Sequence, residues 1–139
     1  LRTMRKNSEL NGPEWSSKND KRVTKIGKLL RKYRIDEIPQ LLSVIKGDMS
    51  LIGPRPERPE INIIIQDKIP YYNLRHLMKP GLSGWSQVNY SYGASIDDSF
   101  MKLSYDLFYL KHFSLALDFL ILFKTIRLVL NAQGSEPNN

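Results

Sequence analysis

The segment Gly53-Pro54-Arg55-Pro56-Glu57-Arg58-Pro59 constrains this chain more than any other. Each proline fixes its own φ near about −65°, removes a backbone donor and biases the preceding residue away from the helical region. Neither an α-helix nor an inner strand can therefore run through residues 53–59. The segment reads as a stiff, irregular connector, and the elements on either side of it must be separate.

Upstream, Ile38, Leu41, Leu42 and Ile45 recur at helical spacing, and Gly47 is a natural stop. Asp36 reads as the N-cap of that helix, with Glu37 in its first turn and Pro39 early enough to be tolerated. "MSLIG" then reads as short and extended. Val23, Ile26, Leu29, Leu30 and Tyr33 predict an earlier amphipathic helix over 23–33, with Lys25, Lys28 and Lys32 on another face. Residues 1–20 end in turn formers and read as loop with one short strand near the start. Downstream, helices are predicted over 60–69, 71–78, 97–112 and 115–130, with a short strand in "LSGWSQVNY". The expectation is a mostly helical α/β protein with few short strands, one compact domain over 1–130 and a loose tail over 131–139. A chain of 139 residues is long enough for one real core.

The net charge of +7 is unevenly spread. Residues 1–34 hold eleven Lys and Arg against three Asp and Glu, a surplus of +8, while residues 35–139 sum to −1. Such a basic end suits an anionic partner or a solvated surface. Nucleic acid is not expected, because helix-turn-helix, zinc and RNA-binding signatures are missing. The absence of cysteine excludes disulfides and thiolate metal sites and fits a reducing compartment. No run reaches the roughly 20 apolar residues that span a bilayer. "LALDFLILFKTIRLVL" is apolar nearly all round, broken by Asp118, Lys124 and Arg127. A helix of this kind is buried, lies at a lipid surface or forms an oligomer interface.

Asp36 and Glu37 are adjacent carboxylates. On a helix they diverge by roughly 100°, so one can attack while the other holds a hard cation. The same pair is also ordinary helix punctuation. Prolines around Arg55 and Arg58 limit their backbone freedom, which favours a pre-ordered grip on phosphate or simply makes a stiff surface turn. Arg31, Arg75 and Lys79 are further cationic candidates. His76 and His112 lack metal-ligand spacing and read as structural. Tyr71, Tyr72, Tyr90 and Tyr92 are aromatic enough to stack on a base, or pack in the ordinary way.

Four motifs in order, D-E-x-P-Q-L at Asp36–Leu41, K-G-D-M-S at Lys46–Ser50, G-P-R-P at Gly53–Pro56 and P-G-x-x-G-W at Pro80–Trp85, resemble the catalytic domain of bacterial sugar transferases. "LRTMR" and "YDLFYLKHFSLALDFLILFKTI" strengthen the likeness, which covers about 1–130. These are monotopic polyprenyl-phosphate phosphoglycosyl transferases of the exopolysaccharide-priming type. The resemblance implies that Asp36 is the nucleophile toward the sugar-bearing phosphate of a UDP-sugar, and that Glu37 is its metal-associated partner. It implies a phosphosugar–aspartyl intermediate, a polyprenyl (undecaprenyl) phosphate acceptor and Mg²⁺. It gives Arg55 a phosphate-holding role and Arg31 the place of an arginine just before the acid pair. Arg58, Arg75 and Lys79 complete the expected substrate-binding set. Family members usually begin with a hydrophobic re-entrant membrane helix, which this sequence does not show, so the expectation is a catalytic domain truncated at its N-terminus; the resemblance also implies a place on the cytoplasmic face of the bacterial inner membrane. "NYSYGAS" stands where small members read N-G-R-N, which resembles the larger members. The competing reading is a non-catalytic basic module that binds anionic lipid or nucleic acid through residues 1–34 and has no need of Asp36.

Overall fold

The computed structural model describes residues 1–5, 20–90, 93 and 95–131. Met4 makes an isolated antiparallel bridge to Val23, and among the described residues this is the pairing found where a short N-terminal strand was expected. The first helix, α1 (Lys25–Lys32), is capped by Thr24, whose hydroxyl accepts from Gly27 N at 2.9 Å. α2 spans Gln40–Lys46 and ends at Gly47, whose φ of 84° is the left-handed conformation that the stop requires.

Strands β1 (Ser50–Ile52) and β2 (Gly81–Ser83) pair in parallel, with Ser50 opposite Gly81 and Ile52 opposite Ser83. Parallel strands need a long crossover. Here it comprises the proline segment, helix α3 (Pro59–Lys68) and a tight 3₁₀ stretch over Tyr72–Leu77. The prolines do what the sequence demands: no regular element occupies residues 53–58, and α3 starts with Pro59 in its first turn. At the base of the segment the two strands approach so closely that a side chain on Gly81 would collide with Gly53 backbone atoms, including Cα at 2.5 Å.

After β2 come α4 (Trp85–Asn89), α5 (Ile96–His112) and α6 (Leu115–Leu130). α5 opens with a reciprocal cap: Asp98 N donates to Ser95 Oγ at 3.0 Å, and Ser95 N donates to the Asp98 carboxylate at 3.0 Å. One core cluster joins Ile61, Ile65 and Ile69 to Tyr72 and Leu103. The other joins Ile52 of β1 to Tyr109 of α5 and Ile121 of α6, with Trp85 and Val88 packed against it.

Three expectations are corrected. Asp36 is not the N-cap of α2. Residues Ile35–Glu37 form one 3₁₀ turn, and α2 begins only after Pro39. The turn closes instead with Glu37 N to Arg34 O at 3.1 Å and Ile38 N to Ile35 O at 3.3 Å. The strand expected in "LSGWSQVNY" stops at Ser83. Trp85 and Val88, three apart, both turn inward as helical spacing dictates. Finally, the helix expected over 71–78 is 3₁₀ in type and is entered through Tyr71 at φ 61°.

Much apolar surface faces outward. Ile26 and Leu29 of α1, Ile45 of α2, and Phe119, Phe123 and Leu130 of α6 are all more than half exposed. Among the described residues no helix is long and apolar enough to cross a membrane.

Candidate functional site

The 3₁₀ turn Ile35–Glu37 carries both acids, each partly buried, and the proline segment brings a guanidinium to Glu37 from eighteen residues downstream. Arg55 NH2 donates to Glu37 Oε1 at 2.8 Å, and Arg55 NH1 donates to Oε2 at 3.4 Å. This is the two-pronged geometry that a planar fork allows and an ammonium does not. Arg34 adds a second cation, with NH1 3.6 Å from Glu37 Oε1. Glu37 is thus shared between two arginines.

Asp36 is placed differently. Its Oδ1 is buried and has no hydrogen-bond partner. Its main-chain carbonyl accepts from Leu1 N at 2.8 Å. A buried carboxylate oxygen without a donor costs about 1–3 kcal/mol, and such costs persist where they serve a purpose. Arg34 and Glu37, but not Asp36 between them, line a cleft of about 200 Å³. Its remaining walls are mostly apolar, among them Leu41, Leu51, Leu82, Leu122 and Val129. The cleft therefore joins one guanidinium and one carboxylate to mostly hydrocarbon walls.

The other candidates lie as follows. Arg31 is half-buried and donates from Nε to Thr3 Oγ1 at 2.9 Å, which fastens α1 to the N-terminal segment. Arg58 is exposed, with Nε 3.7 Å from Glu60. Lys79 donates to Gly47 O at 2.9 Å, where it covers the C-terminal end of α2. Arg75 is 4% exposed and is committed inside the fold, with NH2 2.8 Å from Asp106 Oδ2. The same nitrogen donates to Arg55 O at 2.7 Å. Burial pushes the Asp106 carboxyl above the ordinary carboxylate range, while Arg75 and the Ser86 hydroxyl pull it down. The structure brings Arg55 to Glu37, the sequence neighbour of Asp36, and it places the Arg75 guanidinium on the Arg55 carbonyl.

Of the tyrosines, Tyr72 is core and Tyr90 donates to Asp98 at 2.8 Å, whereas Tyr71 is exposed. Tyr92 lies outside the described residues. His112 is stacked on Phe108, and its Nδ1 is 2.9 Å from Phe108 O. Among the described residues no three His, Cys, Asp or Glu side chains gather as a cation cage. The donor set of Asp36 with Glu37 suits a hard cation that takes one or two protein carboxylates and fills its shell with substrate phosphate and water.

Sequence reasoning missed two participants. Arg34 was legible as an i,i+3 partner of Glu37, a spacing that makes such pairs meet on helical turns. Asp106 gave no local signal, since its partner Arg75 lies in another element.

Comparison with known proteins agrees with the motif order. The family model described as bacterial sugar transferase matches residues 1–132. A UDP-N-acetylgalactosamine-undecaprenyl-phosphate N-acetylgalactosaminephosphotransferase of Aeromonas hydrophila is 50% identical over 135 residues, 97% of this chain and 32% of the relative. An undecaprenyl-phosphate glucose phosphotransferase of Komagataeibacter xylinus is 39% identical over 125 residues, 86% of this chain and 24% of the relative. An undecaprenyl-phosphate galactose phosphotransferase of Salmonella typhimurium is 37% identical over 139 residues, 97% of this chain and 28% of the relative. The chain spans about a quarter to a third of the length of these relatives.

Proposed function

The chain belongs to the bacterial sugar transferase family, and from that premise we propose that it carries the centre that moves a sugar-1-phosphate from a UDP-sugar to undecaprenyl phosphate. The observation that carries this reading is the buried, unpartnered Oδ1 of Asp36 next to the Arg34–Glu37–Arg55 cluster. The relatives' names supply the acceptor and, in the first, the nucleotide-sugar donor.

In the proposed first step a carboxylate oxygen of Asp36 forms a bond to the sugar-bearing phosphorus, and the bond from that phosphorus to the bridging oxygen breaks. UMP departs with the electron pair. In the second step a phosphate oxygen of the polyprenyl phosphate attacks the same phosphorus, Asp36 leaves as carboxylate, and a polyprenyl diphosphate sugar results. An anion attacking an anion needs its repulsion offset, and phosphoryl transfer is governed by such positioning and neutralisation. Arg55 is the cation that can swing from Glu37 to an equatorial phosphate oxygen, because its side chain is partly exposed. Arg34 meets the same carboxylate. Glu37 holds both guanidinium groups in place before substrate arrives. Mg²⁺, bound by Asp36 or Glu37 together with the substrate, would supply further charge neutralisation on the phosphates. The apolar trough suits the first isoprene units of the acceptor.

Two observations favour a bilayer surface as the setting. α1 exposes Ile26 and Leu29 among Lys25, Lys28 and Lys32, and α6 exposes Phe119 and Phe123. An amphipathic helix with lysines beside its apolar side lies on anionic lipid. We assign these helices to the cytoplasmic surface of the inner membrane. Sedimentation with anionic but not zwitterionic vesicles is expected, and equal recovery with both would remove the electrostatic part of that placement.

The chemical proposal is tested by incubating the protein with a panel of UDP-sugars and Mg²⁺ and weighing the intact polypeptide. The expected result is a mass increase of one phosphosugar with matching UMP release, lost in Asp36→Asn. UMP release without any adduct on Asp36, under rapid quenching, would refute the covalent step. Salt-sensitive lipid binding that survives Asp36→Asn, without UMP release from any donor, would favour the non-catalytic reading.

A further inference from the structure

We infer that Arg75 and Asp106 are positioning residues for Arg55, acting through its backbone. The inference rests on the reading that Arg55 meets substrate phosphate. Arg55 sits in a segment that contributes no strand or helix of its own, so something else must fix where its side chain starts. Its carbonyl accepts from Arg75 NH2 at 2.7 Å. The carbonyl of the preceding residue, Pro54, accepts from Gly81 N at 2.9 Å. Pro54 and Pro56 fix φ on both sides. Arg55 is therefore held at two consecutive carbonyls, one by β2 and one by a guanidinium.

That guanidinium is itself fixed from three directions. Asp106 Oδ2 of α5 lies 2.8 Å from NH2, the Tyr72 hydroxyl accepts from NH1, and the Tyr72 ring lies 5.0 Å from the guanidinium carbon. Asp106 is fixed in turn by Ser86 of α4, whose hydroxyl donates to Oδ1 at 2.9 Å. Arg75 is 4% exposed and Asp106 1%. Neither can reach a substrate. A buried ion pair of this kind is not needed for stability as such, because apolar replacements of similar volume often serve as well. Its placement behind the catalytic arginine gives it another use. The route runs from α5 through Asp106 and Arg75 to the backbone of Arg55, and from the Arg55 side chain to Glu37.

The test uses the complete protein as its cell makes it, with turnover followed by UMP release. Arg75→Met combined with Asp106→Leu removes both charges and so leaves neither unpaired. Arg75→Lys keeps a charge for Asp106 but, with one shorter-reaching nitrogen, cannot hold Tyr72, Asp106 and Arg55 O together as NH1 and NH2 do. Thermal unfolding identifies which variants remain folded. In each folded variant kcat is expected to fall about 10–100-fold, the scale on which a misplaced group slows reaction, with little change in KM for the donor. The loss should vanish when the same changes are made in an Arg55→Ala background. Wild-type turnover in a folded variant, or an equal loss with and without Arg55, would overturn the inference. Wild-type turnover in Arg55→Ala alone would refute the role of Arg55, and this inference with it.

Discussion

Replacing Asp36 should stabilise the protein while stopping its chemistry. Asp36 Oδ1 is buried without a donor, next to a second carboxylate at Glu37. An unsatisfied buried acceptor costs about 1–3 kcal/mol. Asp36→Asn removes the charge but keeps a polar atom, so about 1 kcal/mol should be recovered; Asp36→Ala removes the group and should recover about 1–2 kcal/mol. For a domain of this size 1 kcal/mol corresponds to roughly 3–4 °C in Tm. Loss of a covalent nucleophile typically costs many powers of ten, and at least about 10³-fold in kcat is expected here. Urea unfolding of both variants gives the stability change, and UMP release gives the rate. A variant that is less stable than the parent would show that Asp36 serves the fold. A folded Asp36→Asn that turns over within tenfold of the parent would refute the nucleophile assignment outright.

Three further outcomes follow from the geometry. Val129→Trp, in the apolar lining of the trough, should raise KM for the polyprenyl acceptor about tenfold or more and leave adduct formation from the UDP-sugar unchanged; an unchanged acceptor KM would empty the trough of its assigned role. Gly81→Ala should cost about 2 kcal/mol or more in the urea midpoint, because the new methyl meets Gly53 backbone that no rotamer change can relieve. The third concerns pH. Hydrogen bonds from Ser95, then from Tyr90, hold the Asp98 carboxyl below its ordinary value of 3.8. A depressed folded-state value means that stabilisation is full above that pH and fades as pH drops through the folded value. The Tm difference between the parent and Asp98→Asn should therefore be present at pH 7 and shrink below about pH 4; a constant difference would contradict it.

Where a local rule governs, the sequence was readable. The prolines excluded regular structure over 53–58, Gly47 ended α2, and α6 runs over Leu115–Leu130 as periodicity required. Errors arose where two periodicities fit the same short stretch. Trp85 and Val88 support a helix only once both are known to face the same core. Asp36 was given the wrong backbone role because the chain there closes i→i+3 bonds on the Arg34 and Ile35 carbonyls, a choice of turn that residue spacing alone does not display. Asp36, Glu37 and Arg55 were picked out by motif, and the contact of Arg55 with Glu37 follows from the crossover between two parallel strands. The burial of Arg75 was not legible. A surface arginine and a core arginine look alike in one dimension, and Asp106 is brought to it only by packing of α5 against the 3₁₀ stretch.

Arg34 holds φ at 53°, a conformation that glycine or asparagine would adopt at less cost. An arginine there indicates that the guanidinium outweighs what a relaxed main chain would return. Any engineered version hardened by fitting each residue to its preferred torsions would begin by erasing this one, and would yield a sturdier molecule that leaves Glu37 to a single guanidinium.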